Sequence, residues 1–301
     1  MGLLVTGSIG IDTVTTPFGK SKNCLGGSAV YFSMAASYFD SVRFVGVVGN
    51  DCPFDLNAIF SGRDVDLSGL EVRQGSKTFK WQGSYMGDMS TAVTDSVDLN
   101  VLAERPPVLP EAFRDSGYVF LANTHPALQL ELLDQLESPK FVAADTMNCW
   151  IENHSDDLKR LMKRIDAIII NEGEARMITQ EDNLALAAKE LISLGPRVVI
   201  IKKGEHGSIA LDSDGNWIIV PSFPTTEVKD PTGAGDAFAG ATMGYLSSVD
   251  DVSHETLKKA IAYGTVTASL VIEGFSLSGI SDINREAIDK RLESLQDITR
   301  F

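Results

Sequence analysis

The chain has 301 residues, of which 44% are hydrophobic, so it can bury a full core and its composition does not indicate disorder. Its formal net charge of -15 argues against DNA, RNA or an anionic membrane surface as partners, because these bind clustered lysine and arginine. The three cysteines and four histidines show neither a disulfide framework nor zinc-ligand spacing. No basic lead typical of a signal peptide and no apolar run near 18 residues is found, so we expect a cytoplasmic protein.

The N-terminal third of the chain contains two buried strands and two polar excursions. Residues 3–12 predict a strand that ends at Asp12, and residues 42–51 predict a second strand after an apolar helix. Residues 53–63 have a helical pattern. Residues 13–25 and 74–100 lack an apolar pattern on two faces, and we interpret them as excursions that together form an exposed β lid.

From about residue 117 the pattern alternates regularly between strand and helix. Near-continuous apolar strands separated by helices predict a mostly parallel sheet covered on both faces, followed by a hairpin within 208–221. A last helix is predicted near 282–296. Because no linker or internal repeat interrupts the chain, we expect one domain over 1–301. Ligands of such sheets bind at the carboxyl ends of the strands.

The most informative stretch is the heptapeptide Asp-Pro-Thr-Gly-Ala-Gly-Asp at 230–236, which ten small or apolar residues follow. It predicts a glycine-rich turn that opens a buried helix. The turn allows close approach, and the free N–H groups of a helix start bind an anion, most naturally a phosphate. Asp236 would repel a phosphate, but it suits a base that takes a proton from an attacking hydroxyl. A turn without chemistry is the alternative.

This heptapeptide resembles the second signature of the ribokinase-like (PfkB) carbohydrate kinases, D-T-x-G-A-G-D, with a proline as a variation. The resemblance implies a ribokinase-like α/β fold, with a mostly parallel central sheet, helices on both faces and a small β lid. It also implies that Asp236 is the general base, and that the backbone of Gly233, Ala234 and Gly235 forms the anion hole.

Several other residues match the family on the side of the acceptor substrate. Gly26-Gly27 resembles the first signature, G-G-x-x-x-N, although Tyr31 stands where the family commonly has Asn. Tyr31 either contacts a ring of the substrate or is a core aromatic. The resemblance implies that Asp12 holds sugar hydroxyls, whereas a turn aspartate is the alternative. Asn123 and Asp145 follow two predicted strands, and they either touch the substrate or cap the strands.

A second group of residues matches the family on the nucleotide side. Asn171 and Glu174 fit its N-x-x-E motif, which influences Mg²⁺ and phosphate binding, and a helix cap is the alternative. Lys202, Gly204 and Gly207 fit a turn that lies over the nucleotide in the family. The resemblance further implies nucleotide contacts at Tyr263 and Thr267, and ligands of a monovalent cation, usually K⁺, at Asp230, Thr232, Gly274 and Ser278.

We therefore expect an ATP- and Mg²⁺-dependent sugar kinase that phosphorylates a hydroxyl, most simply a primary alcohol, of a small carbohydrate. A nucleoside kinase is the alternative, with Phe79, Trp81 and Tyr85 of the lid stacking on a base. An alternative of another class is a nucleotide-binding protein without turnover, against which the presence of Asp236 weighs. The exposed lid leaves open a homodimer formed across its edge.

Overall fold

The computed structural model describes residues 2–300, in which strands and α-helices alternate along most of the chain. The strands are β1 (Leu3–Thr6), β2 (Gly10–Thr16), β3 (Gly19–Gly26), β4 (Val42–Gly49), β5 (Val65–Arg73), β6 (Phe79–Tyr85), β7 (Ala92–Asp98), β8 (Tyr118–Leu121), β9 (Phe141–Ala144), β10 (Ala167–Asn171), β11 (Val198–Lys202), β12 (Ser208–Asp212) and β13 (Trp217–Val220). The helices are α1 (Ser28–Ala36), α2 (Leu56–Ile59), α3 (Pro126–Leu133), α4 (Asn148–Asn153), α5 (Ser155–Met162), α6 (Glu172–Thr179), α7 (Leu184–Ser193), α8 (Ala234–Val249), α9 (His254–Val271) and α10 (Arg285–Ile298).

The main sheet runs in the order β13-β12-β11-β10-β9-β8-β1-β4-β5. Its pairs are parallel from β11 to β5, whereas β11, β12 and β13 pair antiparallel. The parallel strands therefore end at one edge, which collects the polar residues that follow β8, β9, β10 and β11. The hairpin predicted within 208–221 is confirmed as β12 and β13.

Helices bury both faces of this sheet. One core lies under α1, α8 and α9, where the rings of Phe32 and Phe120 stack with their centroids 4.6 Å apart. The second core lies under α3, α5 and α7 and includes Leu132, Leu161 and Leu191, each at most 1% exposed. Strands that are apolar on both sides require this double cover. The predicted α/β architecture is confirmed.

A smaller sheet in the order β3-β2-β6-β7 stands apart from the main sheet. Its strands include most of the two predicted excursions, and every residue of β7 is exposed. The prediction that Asp12 ends the first strand is wrong, because β1 ends at Thr6 and Asp12 lies within β2. Gly7 marks the crossing between the two sheets, where an added Cβ would lie 2.6 Å from Ser28 Oγ.

Two predicted helices have other bounds in the structure. The helical pattern at 53–63 yields only the four residues of α2, which Asp55 caps through the N–H groups of Asn57 and Ala58. The helix predicted near 282–296 is α10, which begins after its cap at Asn284. No helix within residues 2–300 combines the length and apolarity needed to cross a bilayer.

Candidate active site

The heptapeptide forms the predicted turn at the start of α8. Gly233 precedes the helix with a φ of 77°, a left-handed conformation that favours glycine. The ring of Tyr31 packs beneath it, since a Cβ on Gly233 would lie 2.3 Å from Tyr31 Cγ. Residues 237–244 of the helix are buried, so the turn before them rests on a fixed base.

Asp236 lies in the first turn of α8, and Lys202 approaches it from the end of β11. A Cβ on Gly235 would lie 2.8 Å from Lys202 Nζ, so the amine stands directly over the turn. Burial raises the pKa of Asp236 to about 6, while the positive charge of Lys202 acts in the opposite direction. The turn thus combines helix N–H groups, a cation and a carboxylate that is ionised at neutral pH.

Asp12 lies within β2 and faces the same opening. A Cβ on Gly26 would lie 1.8 Å from Asp12 Oδ2, and one on Gly10 would lie 2.7 Å from Oδ1. The side chain is buried, and its Oδ1 has no hydrogen-bond partner among residues 2–300. Burial raises the pKa of Asp12 to about 7, with contributions from the charges of Asp236 and Asp230. Because buried carboxylate oxygens are normally hydrogen-bonded, this atom is suited to accept a hydrogen bond from a bound ligand.

Asp145 and Glu174 lie beside Asp236 and Lys202 at the ends of neighbouring strands. Burial raises the pKa of Asp145 well above its usual value, as do the charges of Asp236 and Glu174, whereas Lys202 lowers it. The Oδ1 atom of Asp145 also lacks a hydrogen-bond partner within the described chain. Burial raises the pKa of Glu174 as well. Buried carboxylate oxygens near a lysine form a set that suits a hard cation and a phosphate.

Asn171 and Glu174 form a capping box at the start of α6. The Glu174 N–H donates to Asn171 Oδ1 at 2.9 Å, and the Asn171 N–H donates to Glu174 Oε2 at 2.8 Å. The helix-cap alternative therefore describes their local contacts. Asn171 pairs with Lys202 across β10 and β11, which sets the cap beside the amine.

Asp230 connects the heptapeptide to the loop after α9. Its Oδ1 accepts from the Thr232 N–H at 2.9 Å, and its Oδ2 accepts from the Ser276 N–H at 3.4 Å. In the same loop Gly274 is buried, whereas Ser278 is exposed and donates its hydroxyl to the Phe275 carbonyl at 2.8 Å. The segments predicted to form a cation site thus meet at Asp230.

Three further residues of the predicted site have their side chains inside the protein. Tyr263 of α9, predicted to touch the nucleotide, is buried, packs its ring against Tyr245 of α8 and donates its hydroxyl to Asp289 of α10 at 2.9 Å. Tyr31 is 2% exposed and is a core aromatic under Gly233, so it offers no ring face to a substrate. Thr267 is fully buried in α9, and its Oγ1 has no partner within residues 2–300.

The remaining predicted residues lie along the same edge of the sheet. The side chain of Asn123 accepts from Trp150 Nε1 at 2.8 Å and donates to Met147 Sδ at 3.1 Å, so protein groups hold its orientation. Gly204 and Gly207 form a turn with positive φ, and a Cβ on Gly207 would lie 2.1 Å from the Val220 carbonyl oxygen. A Cβ on Gly27 would likewise lie 2.4 Å from the Ser8 carbonyl oxygen.

The structure adds residues that the motifs did not assign a contact. The ring of Phe79 adjoins Gly10 on the side where Asp12 lies, with Cδ1 at 3.0 Å from a Cβ built on Gly10. Tyr85 reaches from β6 of the small sheet to Thr232, whose hydroxyl lies 3.4 Å from the phenol oxygen. In the sequence, these two residues stand out only as aromatic residues of the predicted lid. No motif in the sequence indicates a role for Ser276.

Comparisons with known proteins agree with this geometry. The family model described as "pfkB family carbohydrate kinase" matches residues 21–283. The chain is 32% identical over 251 residues to a cytidine kinase of Thermococcus kodakarensis, which covers 81% of this chain and 87% of that protein.

Solved structures share the fold over nearly the whole chain. A Burkholderia thailandensis nucleoside kinase in complex with inosine matches with a TM-score of 0.79 and 17% identity, covering 98% of both chains. A protein described as a ribokinase II of Escherichia coli, in complex with ATP and Mg²⁺, matches with a TM-score of 0.77 and 16% identity, covering 97% of this chain and 99% of that one. The chain therefore belongs to the pfkB family of carbohydrate kinases, and it is an ATP-dependent phosphotransferase that acts on a hydroxyl group of a sugar or nucleoside.

Proposed function

We propose that the protein is a nucleoside kinase that phosphorylates the primary 5′-hydroxyl of a ribonucleoside, with cytidine as the first candidate. The observation that carries this proposal is the 32% identity to a cytidine kinase over 81% of the chain. Relatives named as sugar kinases match shorter parts, such as 31% of the chain for the fructoselysine 6-kinase of Escherichia coli.

The surroundings of Asp12 support a substrate that has both hydroxyls and a flat ring. Asp12 Oδ1 is buried and lacks a partner within residues 2–300, so it would accept a hydrogen bond from a ribose hydroxyl. The ring of Phe79 lies on the same side of Gly10 as Asp12 and would supply an apolar face near these hydroxyls. Because Gly26 has no side chain, the Asp12 carboxylate can occupy the space beside it. The next residue, Gly27, is the N-cap of α1. Asn123 and Asp145 would complete the pocket from β8 and β9.

In the proposed reaction Asp236 accepts the proton of the 5′-hydroxyl as that oxygen attacks the γ-phosphate. Its pKa of about 6 leaves it ionised at neutral pH while keeping it basic enough to share the proton. The N–H groups of Gly233 and Gly235 would stabilise the charge that develops on the transferred phosphoryl group, whereas the Ala234 N–H donates to the Pro231 carbonyl at 3.2 Å and would have to be shared with it. Lys202 adds a positive charge over the same turn.

The carboxylates at the strand ends are suited to bind the Mg²⁺ ion that accompanies ATP. Glu174 and Asp145 would hold Mg²⁺ directly or through water, because carboxylate oxygens are the ligands that a hard cation prefers. The buried Oδ1 of Asp145 has no partner within residues 2–300, whereas Oε2 of Glu174 already accepts from the Asn171 N–H. Mg²⁺ neutralises negative charge on the phosphate oxygens when it is bound. Asn171 and the turn of Gly204 and Gly207 would lie along the nucleotide, with Thr267 beneath it.

A monovalent cation such as K⁺ would bind where the heptapeptide meets the loop after α9. Asp230 and Thr232 would contribute from one side, and Gly274 and Ser278 from the other. The hydrogen bonds that already join Asp230 to Thr232 and to Ser276 support this placement. Dependence of the rate on K⁺, tested against Na⁺ and Li⁺ at constant ionic strength, checks it.

The small sheet would act as a lid and as a dimer contact. Tyr85 already reaches Thr232, so the sheet can close over the substrate and exclude water. On its outer strand β7, Val93 and Val97 are 55% and 49% exposed, which supports pairing with a second copy. Light scattering of Val93→Lys/Val97→Lys beside the unaltered protein tests the dimer, and a dimer in both would contradict this contact.

The test of substrate class is an acceptor panel with ATP and Mg²⁺, read as ADP release and confirmed by mass of the product. The panel contains cytidine, uridine, adenosine, inosine, ribose and fructose. We expect cytidine to exceed ribose in kcat/KM by about tenfold or more, since base contacts add to those of the ribose. A preference for a free sugar over every nucleoside would overturn the nucleoside assignment.

A further inference from the structure

Ser276 holds an unusual position in the loop after α9. Its φ is 52°, in the left-handed region that residues other than glycine, asparagine and aspartate rarely occupy. Both of its polar groups are engaged with other segments: the N–H donates to Asp230 Oδ2 at 3.4 Å, and the hydroxyl donates to the Leu25 carbonyl at 2.6 Å. A strained residue persists where its contacts hold it in place.

The Leu25 end of this link leads to the acceptor pocket. Leu25 pairs with Ile11 across β3 and β2, and the next residue, Gly26, packs on the carboxylate of Asp12. Any shift of the Leu25 carbonyl would therefore move the wall against which Asp12 lies. A second contact between the same elements brings the Phe275 ring to 3.5 Å from a Cβ built on Gly19.

The Asp230 end of the link leads to the anion-hole turn. Asp230 also accepts from the Thr232 N–H, immediately before Gly233. The ring of Tyr31 supports Gly233 from below. Ser276 thus touches both the strand that shapes the acceptor pocket and the residues that set the anion hole.

We infer that Ser276 is a positioning residue that transmits binding of the nucleotide phosphates at the turn of residues 230–236 to the acceptor pocket formed by β2 and β3. Phosphate bound at the turn holds Asp230 and, through the Ser276 N–H, the loop of residues 272–280. The Ser276 hydroxyl then fixes β3 through the Leu25 carbonyl. The acceptor then meets a pocket whose wall is already in place.

The test is hydrogen–deuterium exchange of the full chain with and without Mg²⁺ and the non-hydrolysable ATP analogue AMP-PNP. It requires no acceptor, so its outcome is independent of which sugar or nucleoside is the substrate. In the unaltered protein, the analogue is expected to slow exchange in both 272–280 and 19–26. In Ser276→Ala, we expect the slowing in 19–26 to fall by about threefold or more, as for loss of one hydrogen bond, while that in 272–280 remains.

Two further variants separate the hydroxyl from the backbone. Ser248→Ala removes an exposed hydroxyl near the end of α8 that bonds only within its own turn, and it should behave like the unaltered protein. Ser276→Gly removes the hydroxyl and relieves the strain, so it should lose the response in 19–26 without losing thermal stability. The inference is overturned if 19–26 does not respond in the unaltered protein, if it responds fully in Ser276→Ala, or if Ser276→Gly restores the response.

Discussion

The carboxylate of Asp12 packs directly on the backbone of Gly26. A methyl group added at residue 26 would lie 1.8 Å from Asp12 Oδ2 and 2.3 Å from Cγ, closer than any relaxed contact allows. The carboxylate lies inside the small sheet and has little room to withdraw, because Gly10 adjoins its other oxygen. Substrate binding at Asp12 therefore depends on the absence of a side chain at residue 26.

Gly26→Ala should displace the Asp12 carboxylate and raise the acceptor KM by about tenfold or more, since a hydrogen bond to a charged group is lost. The KM for ATP should change little, because the nucleotide residues lie at other strand ends. Steady-state kinetics with each substrate varied in turn measures both effects. Gly62→Ala controls for loss of stability alone, because an added methyl there meets no atom within 4 Å but the φ of 76° strains the backbone. An unchanged acceptor KM in Gly26→Ala would contradict the role of Asp12.

Asp236→Asn should lower turnover by about 100-fold or more while AMP-PNP still binds. The amide has nearly the shape of the carboxylate but cannot accept the proton of the acceptor hydroxyl. Calorimetry of analogue binding, together with the rate of ADP formation, separates the two effects. Turnover equal to that of the unaltered enzyme would exclude residue 236 as the base.

The pH dependence of kcat/KM should show an acidic limb near pH 6. Burial raises the pKa of Asp236 to about 6, and only the ionised form can act as a base. The rate is therefore expected to fall tenfold per pH unit below this value. The pKa of Asp12 is also raised, to about 7. The pH profile of Asp12→Asn therefore shows which group is responsible: a limb that persists in this variant belongs to Asp236. A flat profile from pH 5 to 8 would argue against both carboxylates.

The sequence was sufficient to predict the sheet and the heptapeptide turn because both are local patterns. Near-continuous apolar strands require cover on both faces, and glycine spacing reveals a tight helix start. The nature of Tyr31 was left open, since a tyrosine flanked by apolar residues serves equally in a core or in a pocket. Its burial follows from the position of Gly233, about two hundred residues away.

Other parts of the site depend on contacts that no local pattern reveals. The contact between Tyr263 and α10 could not be predicted from the sequence around Tyr263, because its hydroxyl partner, Asp289, belongs to another helix. Ser276 bonds to a carbonyl 251 residues earlier in the chain, and its backbone conformation is one that serine rarely adopts. Asp12 appeared to end a strand because the apolar run continues while the chain crosses from one sheet to the other.

Asp12 should make the protein less stable at high pH. Its pKa in the folded state, about 7, lies above the ordinary value of 3.8, so its favourable contribution is present at low pH and lost as the pH rises through 7. Asp12→Asn should therefore raise Tm at pH 8, and its advantage should shrink toward pH 5. Asp251→Asn is the opposite control, because hydrogen bonds from Ser253 and Thr256 lower the pKa of this exposed group. Thermal unfolding at several pH values checks the sign, and a constant advantage for Asp12→Asn would contradict it.

Gly233→Ala and Gly235→Ala should differ strongly, although both change the same turn. At residue 233 the methyl would meet the buried Tyr31 ring at 2.3 Å, and φ is 77°, so neither backbone nor neighbour can yield. At residue 235 the methyl meets only the end of the flexible Lys202 side chain at 2.8 Å, which can move aside. We expect Gly233→Ala to lose about 100-fold or more in turnover, together with about 1–3 kcal/mol of stability. Gly235→Ala should lose about tenfold in turnover through displacement of the amine, with an unchanged Tm. Kinetics and thermal unfolding of both variants test this order, and a more damaging effect at residue 235 would show that the Lys202 amine, rather than the Tyr31 support, governs the turn.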